Sequence, residues 1–156
     1  MRYTPRDGNE REGALYNTLE PVVKGLGMSL VELSLSRYRG AYQVRITVAG
    51  KGSLGTDDCS RLHRALLPRL ELALPGQELY LEVSSPGIDR RVKDASEFAF
   101  FIGRGAACYR TDISGWTRGV IRAADEKTLT LENRDGVILL PYENIGKARL
   151  DSEIEI

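Results

Sequence analysis

The chain has 156 residues, of which 42% are hydrophobic and 28% charged, and its 22 basic residues balance 22 acidic ones. This composition excludes extensive disorder, and zero net charge disfavours a tight, autonomous nucleic-acid binder, because phosphate neutralisation supplies most of the affinity of such proteins. Two cysteines are too few for a disulfide framework, no apolar run approaches the ~20 residues that span a bilayer, and residues 1–6 lack a signal-peptide core, so we expect a cytoplasmic protein with no membrane partner.

Residues 10–25 are predicted to form a first helix, since their apolar side chains recur at three- and four-residue spacing. Pro21 is expected to kink this helix, and Gly25 and Gly27 to end it. Apolar and polar residues then alternate with period two over residues 31–36 and 42–48. This alternation predicts two strands with one buried face, joined at Arg39-Gly40 in a hairpin.

A second helix is predicted from about Asp57, with Thr56 as its N-cap. Pro68 is expected to kink or split this helix, because proline removes a backbone hydrogen bond. A third alternating segment covers residues 79–84. The order helix–strand–strand–helix–strand predicts an α/β domain whose two helices cover the apolar face of one sheet.

The pattern changes after residue 85. Residues 94–102 predict a short helix carrying Phe98, Phe101 and Ile102. Short strands separated by turn residues follow, at 105–110, 116–123, 128–133, 137–141 and 146–150. Five such strands are typical of a small SH3-like or Sm-like β-barrel. The sequence thus predicts an α+β protein with an N-terminal α/β domain at 1–85 and a barrel domain at 86–156, the boundary falling within 85–103.

Neither a nucleotide site nor a metal site is predicted. The glycine-rich residues 50–56 lie between a strand and a helix, but Arg45 and Gly52 stand where a P-loop requires Gly and Ser or Thr. Cys59 and His63 share a helix face, yet zinc usually takes at least three protein ligands, and the chain has no other histidine. Cys59 is expected to pack as a small hydrophobe. With no paired carboxylates, we expect no catalytic residue, metal or cofactor.

The segment that follows the third predicted strand is the main candidate site. Pro86-Gly87 suits a type II turn with Gly87 at positive φ. Hydroxyls, turn N–H groups and arginines could together hold a phosphate or an acidic partner. The alternative is a rigid interdomain turn in which Asp89 pairs with an arginine. The candidate partner-binding or hinge residues are Ser84, Ser85, Pro86, Gly87, Asp89, Arg90 and Arg91.

Three arginines of the second helix and the single tryptophan are weaker candidates. Cys59, Leu62, Leu66 and Leu70 form an apolar stripe on the second helix. Arg61, Arg64 and Arg69 lie away from this leucine stripe, which fits either a solvated face or a contact to RNA or an acidic protein. Arg61 and Arg64 are kept as secondary binding candidates. Trp116 is expected in the core or at the barrel rim, with base stacking as the alternative.

Four segments together resemble the RimP family of bacterial ribosome maturation factors. Residues 80–91, YLEVSSPGIDRR, are similar to the family signature, although Arg91 stands where a proline is usual. Residues 56–66 resemble the family's second helix, residues 98–103 its Phe-x-x-Phe-Ile-Gly element, and residues 141–150 its closing segment.

The resemblance implies an N-terminal α/β domain, a C-terminal Sm-like barrel, and no catalytic activity or cofactor. It also implies binding to the immature small (30S) ribosomal subunit during assembly. The partner implied there is a ribosomal protein near the decoding region, with contacts to small-subunit rRNA also open. We expect a monomer. The alternatives are an autonomous Sm-like RNA-binding module, which would bind naked RNA in a strongly salt-dependent way, and an enzyme on an unfamiliar scaffold.

Overall fold

The computed structural model describes residues 1–4, 11–50, 54–87 and 89–154. The chain divides into two compact units, each with most of its contacts within itself. The first unit is Arg6–Pro86, and the second combines Met1–Pro5 with Gly87–Ile156. The predicted domains at 1–85 and 86–156 differ from these units at residues 1–5, and they stay a prediction.

The first helix, α1, spans Arg11–Gly25 without interruption at Pro21. A Schellman motif follows the helix: the N–H of Gly27 donates to the carbonyl of Lys24, and the N–H of Met28 to that of Val23. Gly27 has a φ of +80°, the left-handed conformation that this motif needs and that glycine adopts without strain.

The first unit has a three-stranded sheet of order β1-β2-β3. Strand β1 (Ser29–Tyr38) pairs antiparallel with β2 (Ala41–Ala49), which pairs in parallel with β3 (Leu79–Ser84). Arg39 and Gly40 both have positive φ, 51° and 81°, as a two-residue hairpin turn requires. The predicted hairpin is confirmed.

A bulge lies in β1 just before the predicted alternation. The register shifts between Leu30 and Glu32, so Leu30 is buried next to Val31, while burial alternates as predicted over residues 31–36. Both helices and the sheet contribute to one core, which confirms that the helices cover the apolar sheet face. The buried members of this core are Leu15, Leu19, Val23, Met28, Leu30, Leu33, Tyr42, Val44, Ile46, Val48, Leu62, Leu66, Leu70 and Leu74.

Helix α2 spans Thr56–Ala73 and corrects two expectations. Its N-cap is Gly55 rather than Thr56, and the N–H of Gly55 donates to the Asp58 carboxylate at 3.1 Å. Pro68 lies inside the continuous helix, so the expected split is wrong. Tertiary packing outweighs the missing hydrogen bond, because the leucines on either side of Pro68 are fully buried.

The second unit has a six-stranded antiparallel sheet of order β4-β9-β5-β6-β7-β8. Five of these strands confirm the predicted ones to within about one residue, whereas the two-residue β4 was not predicted. A 3-10 helix, Ala95–Phe101, lies where the short helix was expected, and a second, Tyr142–Asn144, precedes the last strand. The strands are β4 (Arg91–Val92), β5 (Gly105–Arg110), β6 (Gly115–Ala124), β7 (Thr128–Asn133), β8 (Gly136–Pro141) and β9 (Ile145–Leu150).

Of the apolar residues noted in this segment, Phe98 and Phe101 are buried in the second unit, whereas Ile102 is 49% exposed. Hydrogen bonds made by the backbone of residues 1–4 attach them to this unit. The Ala95 N–H donates to the Arg2 carbonyl, and the Thr4 N–H donates to Asp94 Oδ1. Burial alone would raise the pKa of Asp94, but hydrogen bonds from Thr4 and Ser96 outweigh it and lower that pKa.

The strand order leaves β4 and β8 at the two edges of the sheet, with no pairing between them in the described parts of the chain. The α+β class is therefore confirmed, while closure of the sheet into an SH3-like or Sm-like barrel stays a prediction. None of the helices within the described ranges is long and apolar enough to cross a membrane.

Candidate binding surface

The predicted turn at the end of β3 has a different geometry. Ser84 pairs with Thr47, and its hydroxyl donates to the Ile46 carbonyl at a long 3.4 Å, while Ser85 is exposed. Gly87 is not among the glycines with positive φ, so the expected type II turn is wrong. The turn lies two residues later, where the Gly87 carbonyl accepts from the Arg90 N–H at 3.2 Å.

Arg90 is held inside the second unit rather than presented to a ligand. Its Nε lies 2.9 Å from Glu97 Oε1, and the two side chains are only 10% and 4% exposed. The Arg90 carbonyl accepts from the Leu150 N–H, and the second Glu97 oxygen accepts from the Lys93 N–H. The ion pair therefore fastens the start of β4 to the 3-10 helix at Ala95–Phe101.

Asp89 does not form the ion pair considered for an interdomain turn. Its side chain is exposed, and none of the salt bridges between described residues includes it. Arg90 takes Glu97, not Asp89, as its partner. Asp89 thus remains a solvated acid at the start of the second unit, next to the buried Arg90.

Arg91 belongs to a row of arginines that crosses the second sheet. It lies opposite Arg149 on β9, Arg149 lies opposite Ala107 on β5, and Ala107 lies opposite Arg118 on β6. Directly opposed residues of neighbouring strands project from the same face of a sheet. We call Arg91, Arg149 and Arg118 the arginine row.

A buried carboxylate holds two members of the arginine row. Asp151 Oδ2 lies 3.4 Å from Arg149 Nη2 and 3.8 Å from Arg118 Nη1. The Asp151 side chain is 5% exposed, whereas those of Arg118 and Arg149 are 57% and 39% exposed. Arg91 and Arg149 lie directly opposite each other, which is destabilising for like charges. The Asp151 carboxylate beside Arg149 offsets part of that repulsion and leaves the guanidinium groups accessible.

Two aromatic rings and a lysine occupy the next positions on the same face. Tyr109 lies opposite both Trp116 and Lys147, and its ring meets the Trp116 ring edge-on at 5.6 Å. Lys147 Nζ lies 5.5 Å from the Trp116 ring centroid and 5.8 Å from that of Tyr109. Trp116 is 46% exposed, so it is not a core residue. We call these three residues and the arginine row together the basic–aromatic face.

The secondary candidates lie on α2 in the first unit. Arg61 Nη1 is 3.8 Å from Asp58 Oδ1, a long and exposed ion pair. Arg64 is exposed, and the described part of the chain gives it no salt bridge. The third arginine of this helix, Arg69, donates to the Ala65 carbonyl at 2.6 Å. This pattern is typical of a solvated helix face, and such pairs contribute little to stability.

The two cysteines differ in burial. Cys59, at the start of the apolar stripe of α2, is half-buried, and Cys108 is fully buried. Burial raises the pKa of the Cys108 thiol to about 12, which keeps it protonated and unreactive. Within the described ranges, no three His, Cys, Asp or Glu residues are grouped so as to hold a metal ion. Residues 51–53 of the glycine-rich loop lie outside the described residues.

The raised Cys108 pKa gives an expected result for thiol labelling. At pH 8 a thiol reagent should modify Cys59 in the native protein, and Cys108 only after unfolding. Unfolded Cys108 ionises near pH 9 and folded Cys108 near pH 12, so its contribution to stability is complete below pH 9 and is lost as the pH rises from 9 towards 12. A Cys59→Ser variant is the control, because rapid native labelling of that variant would contradict the burial of Cys108.

Comparison with known proteins identifies the first unit. Residues 18–89 match the family model described as the RimP N-terminal domain. The match includes β1, β2, α2 and β3, together with the turn that follows β3. A solved chain of CzrB, whose description concerns zinc transport, aligns with a TM-score of 0.40 at 19% identity, over 51% of this chain and 98% of that chain. So weak a likeness carries no argument.

Proposed function

Because the chain belongs to the RimP family of ribosome maturation factors, we propose that it binds the small ribosomal subunit while that subunit is immature and assists its assembly. The match of residues 18–89 to the RimP N-terminal domain carries this proposal. Because the family consists of non-catalytic factors, we propose no catalytic activity and no cofactor for this chain.

The proposed mechanism is selective binding. A factor can shift an assembling particle toward one arrangement only by binding that arrangement more tightly than the others. The protein would act as a cytoplasmic monomer, with its second unit as an Sm-like barrel domain. Its partner would be a ribosomal protein near the decoding region, with rRNA contacts beside it.

The exposed members of the candidate segment are proposed as contacts or as a hinge, and Arg90 as a residue that positions them. Ser85, Asp89 and Arg91 are exposed and can meet a partner directly. Arg90 is tied to Glu97, so its removal would disturb folding and binding together. Ser84, Pro86 and Gly87 shape the backbone here, and Arg61 and Arg64 remain secondary contacts.

Co-sedimentation tests this proposal. The full chain should sediment with immature small subunits, less with mature ones, and weakly with naked small-subunit rRNA at about 150 mM salt. Arg91→Gln should weaken binding to immature subunits and lower the salt slope by roughly one, as expected when one phosphate contact is lost. Arg134→Gln, an exposed change in the turn between β7 and β8, is the matched control and should leave binding unchanged.

Two results would contradict the proposal. If the protein binds no small-subunit particle, the assembly role is wrong. If it binds naked rRNA as tightly as immature subunits, with affinity falling steeply as salt rises, the protein is an autonomous RNA-binding module instead. The zero net charge of the chain favours an assembly factor over an autonomous RNA-binding module.

A further inference from the structure

The basic–aromatic face of the second unit has the chemistry of a single-stranded RNA site. We propose that it binds an unpaired RNA segment, with a base stacked on Trp116, whose ring Tyr109 supports edge-on, and phosphates held by Lys147 and the arginine row. The inference rests on the proposed function, since the RNA that it would meet there is exposed rRNA of the immature subunit. It assigns a ligand to a surface that the RimP N-terminal match at residues 18–89 does not include.

Charge is the first observation that supports the proposal. Four cations share this face, and the carboxylate among them, Asp151, is buried beneath Arg118 and Arg149. Neither Arg91 nor Lys147 has a salt-bridge partner among the residues that the structure describes. The neighbouring acids Glu132 and Asp112 are already paired, with Arg122 at 2.8 Å and Arg110 at 2.7 Å. The face thus keeps a local positive excess within a neutral chain.

The aromatic pair is the second observation. Trp116 is 46% exposed, which leaves a large apolar surface in contact with water. Its edge-on contact with Tyr109, at 5.6 Å and 70° between ring planes, and the nearby Lys147 ammonium fix the position of the ring. An exposed, pre-positioned aromatic ring beside cations is the arrangement that sequence-tolerant single-strand binders use to stack bases.

The spacing of the strands gives the face a size that fits a short strand of RNA. Arg91 and Arg118 lie three strand positions apart, on β4 and β6 with β9 and β5 between them. At about 4.8 Å per strand, the arginine row is roughly 14 Å long. Stacked nucleotides rise about 3.4 Å each, so the row matches a segment of about four nucleotides.

Two small residues let the larger side chains of this face pack closely. Ala107 lies between Arg149 and Arg118 in the row and is fully covered. Gly146, beside a register shift of β9, leaves room for the Tyr109 ring, because a Cβ on residue 146 would lie 3.4 Å from Tyr109 Cδ1. A bulge of this kind re-aims side chains locally. The Tyr109 and Trp116 rings are thereby placed beside the cations.

An unpaired strand fits this surface better than a duplex does. Double-stranded RNA is recognised through its shape, its phosphates and its 2′-hydroxyls, because its bases are not free to stack on protein rings. Exposed aromatic rings add affinity only where bases are accessible. The ring pair therefore selects single-stranded RNA, and a duplex of equal length should bind more weakly.

Trp116 is the only tryptophan of the chain, so its fluorescence reports directly on this face. Titration of the full protein with an eight-nucleotide single-stranded RNA should quench Trp116 emission, and an RNA duplex of the same length should quench it less. Trp116→Ala should weaken binding, measured by anisotropy of labelled RNA, by about tenfold or more, and Trp116→Phe by less. Lys147→Gln with Arg149→Gln should lower the salt slope by roughly two.

Arg134→Gln is the control variant for these titrations, since it removes an exposed arginine of the same unit outside the face. Far-UV circular dichroism of each variant, unchanged from that of the unmodified protein, verifies folding. Equal RNA binding by Trp116→Ala and Arg134→Gln would overturn the proposal. So would quenching of Trp116 by a small-subunit ribosomal protein but not by RNA.

Co-sedimentation separates this inference from the function on which it rests. If the unmodified protein sediments with immature subunits but RNA leaves Trp116 emission unchanged, the RNA site is wrong and the assembly role stands. If the protein binds the short RNA and no subunit, the assembly role is wrong and the RNA site stands.

Discussion

Glu97→Ala is expected to lower the free energy of unfolding of the second unit by about 3–5 kcal/mol, because it removes the carboxylate from a buried arginine. The Glu97 and Arg90 side chains are 4% and 10% exposed and 2.9 Å apart. Exposed ion pairs contribute at most about 1 kcal/mol. Here water cannot solvate the guanidinium in place of the carboxylate, so the loss is larger.

Urea unfolding followed by Trp116 fluorescence measures this effect, since Trp116 lies in the same unit. Glu126→Ala, in the exposed turn before β7, is the matched control and should change stability by less than about 0.5 kcal/mol. A double variant, Arg90→Met with Glu97→Leu, should recover much of the loss, because an apolar pair of similar volume leaves no buried charge. Equal stability of the Glu97→Ala and Glu126→Ala variants would contradict the structural role of Arg90.

The same ion pair decides how the candidate segment should be tested. A joint Arg90→Ala and Arg91→Ala change would mix a folding defect with the loss of a contact. Arg91 is exposed on β4, and its neighbour Arg90 is not. Subunit binding by the single Arg91→Gln variant therefore separates contact from stability.

Most of the secondary structure could be predicted because its signals are local. Period-two alternation and turn residues place the strands of both units to within one or two residues. The features that were missed depend on tertiary structure. The two-residue β4 is too short to show a period, and the β1 bulge depends on pairing with β2. Pro68 stays helical because the burial of Leu66 and Leu70 outweighs its local preference.

The candidate surface was predictable only in part, since strand register assembles it. Arg91, Arg118 and Arg149 are far apart in sequence and become neighbours only through the pairing of β4, β9, β5 and β6. Sequence analysis singled out Arg91 and Trp116 but had no signal that joins them. The burial of Arg90 could not be predicted either, because no sequence motif marks its ion-pair partner Glu97.

Leu66→Ala is expected to destabilise the first unit by about 2–5 kcal/mol, because it opens a cavity at the centre of its core. Leu66 is fully buried, as are the leucines one turn away on either side, Leu62 and Leu70. The three lie on one face of α2, in the core formed by both helices and the sheet. This core holds β3 in place and, with it, the start of the candidate segment.

Leu72 provides a matched control on the same helix, since it is 83% exposed. Leu72→Ala removes the same atoms and should change stability by less than about 0.5 kcal/mol. Urea unfolding followed by circular dichroism at 222 nm is the suitable measurement, because α1 and α2 are the two long helices of the described chain and both lie in the first unit. A loss for Leu66→Ala no larger than that for Leu72→Ala would show that the stripe is not the core of this unit. If Leu66→Ala unfolds at lower urea by circular dichroism but at an unchanged urea concentration by Trp116 fluorescence, each unit is stabilised by its own core.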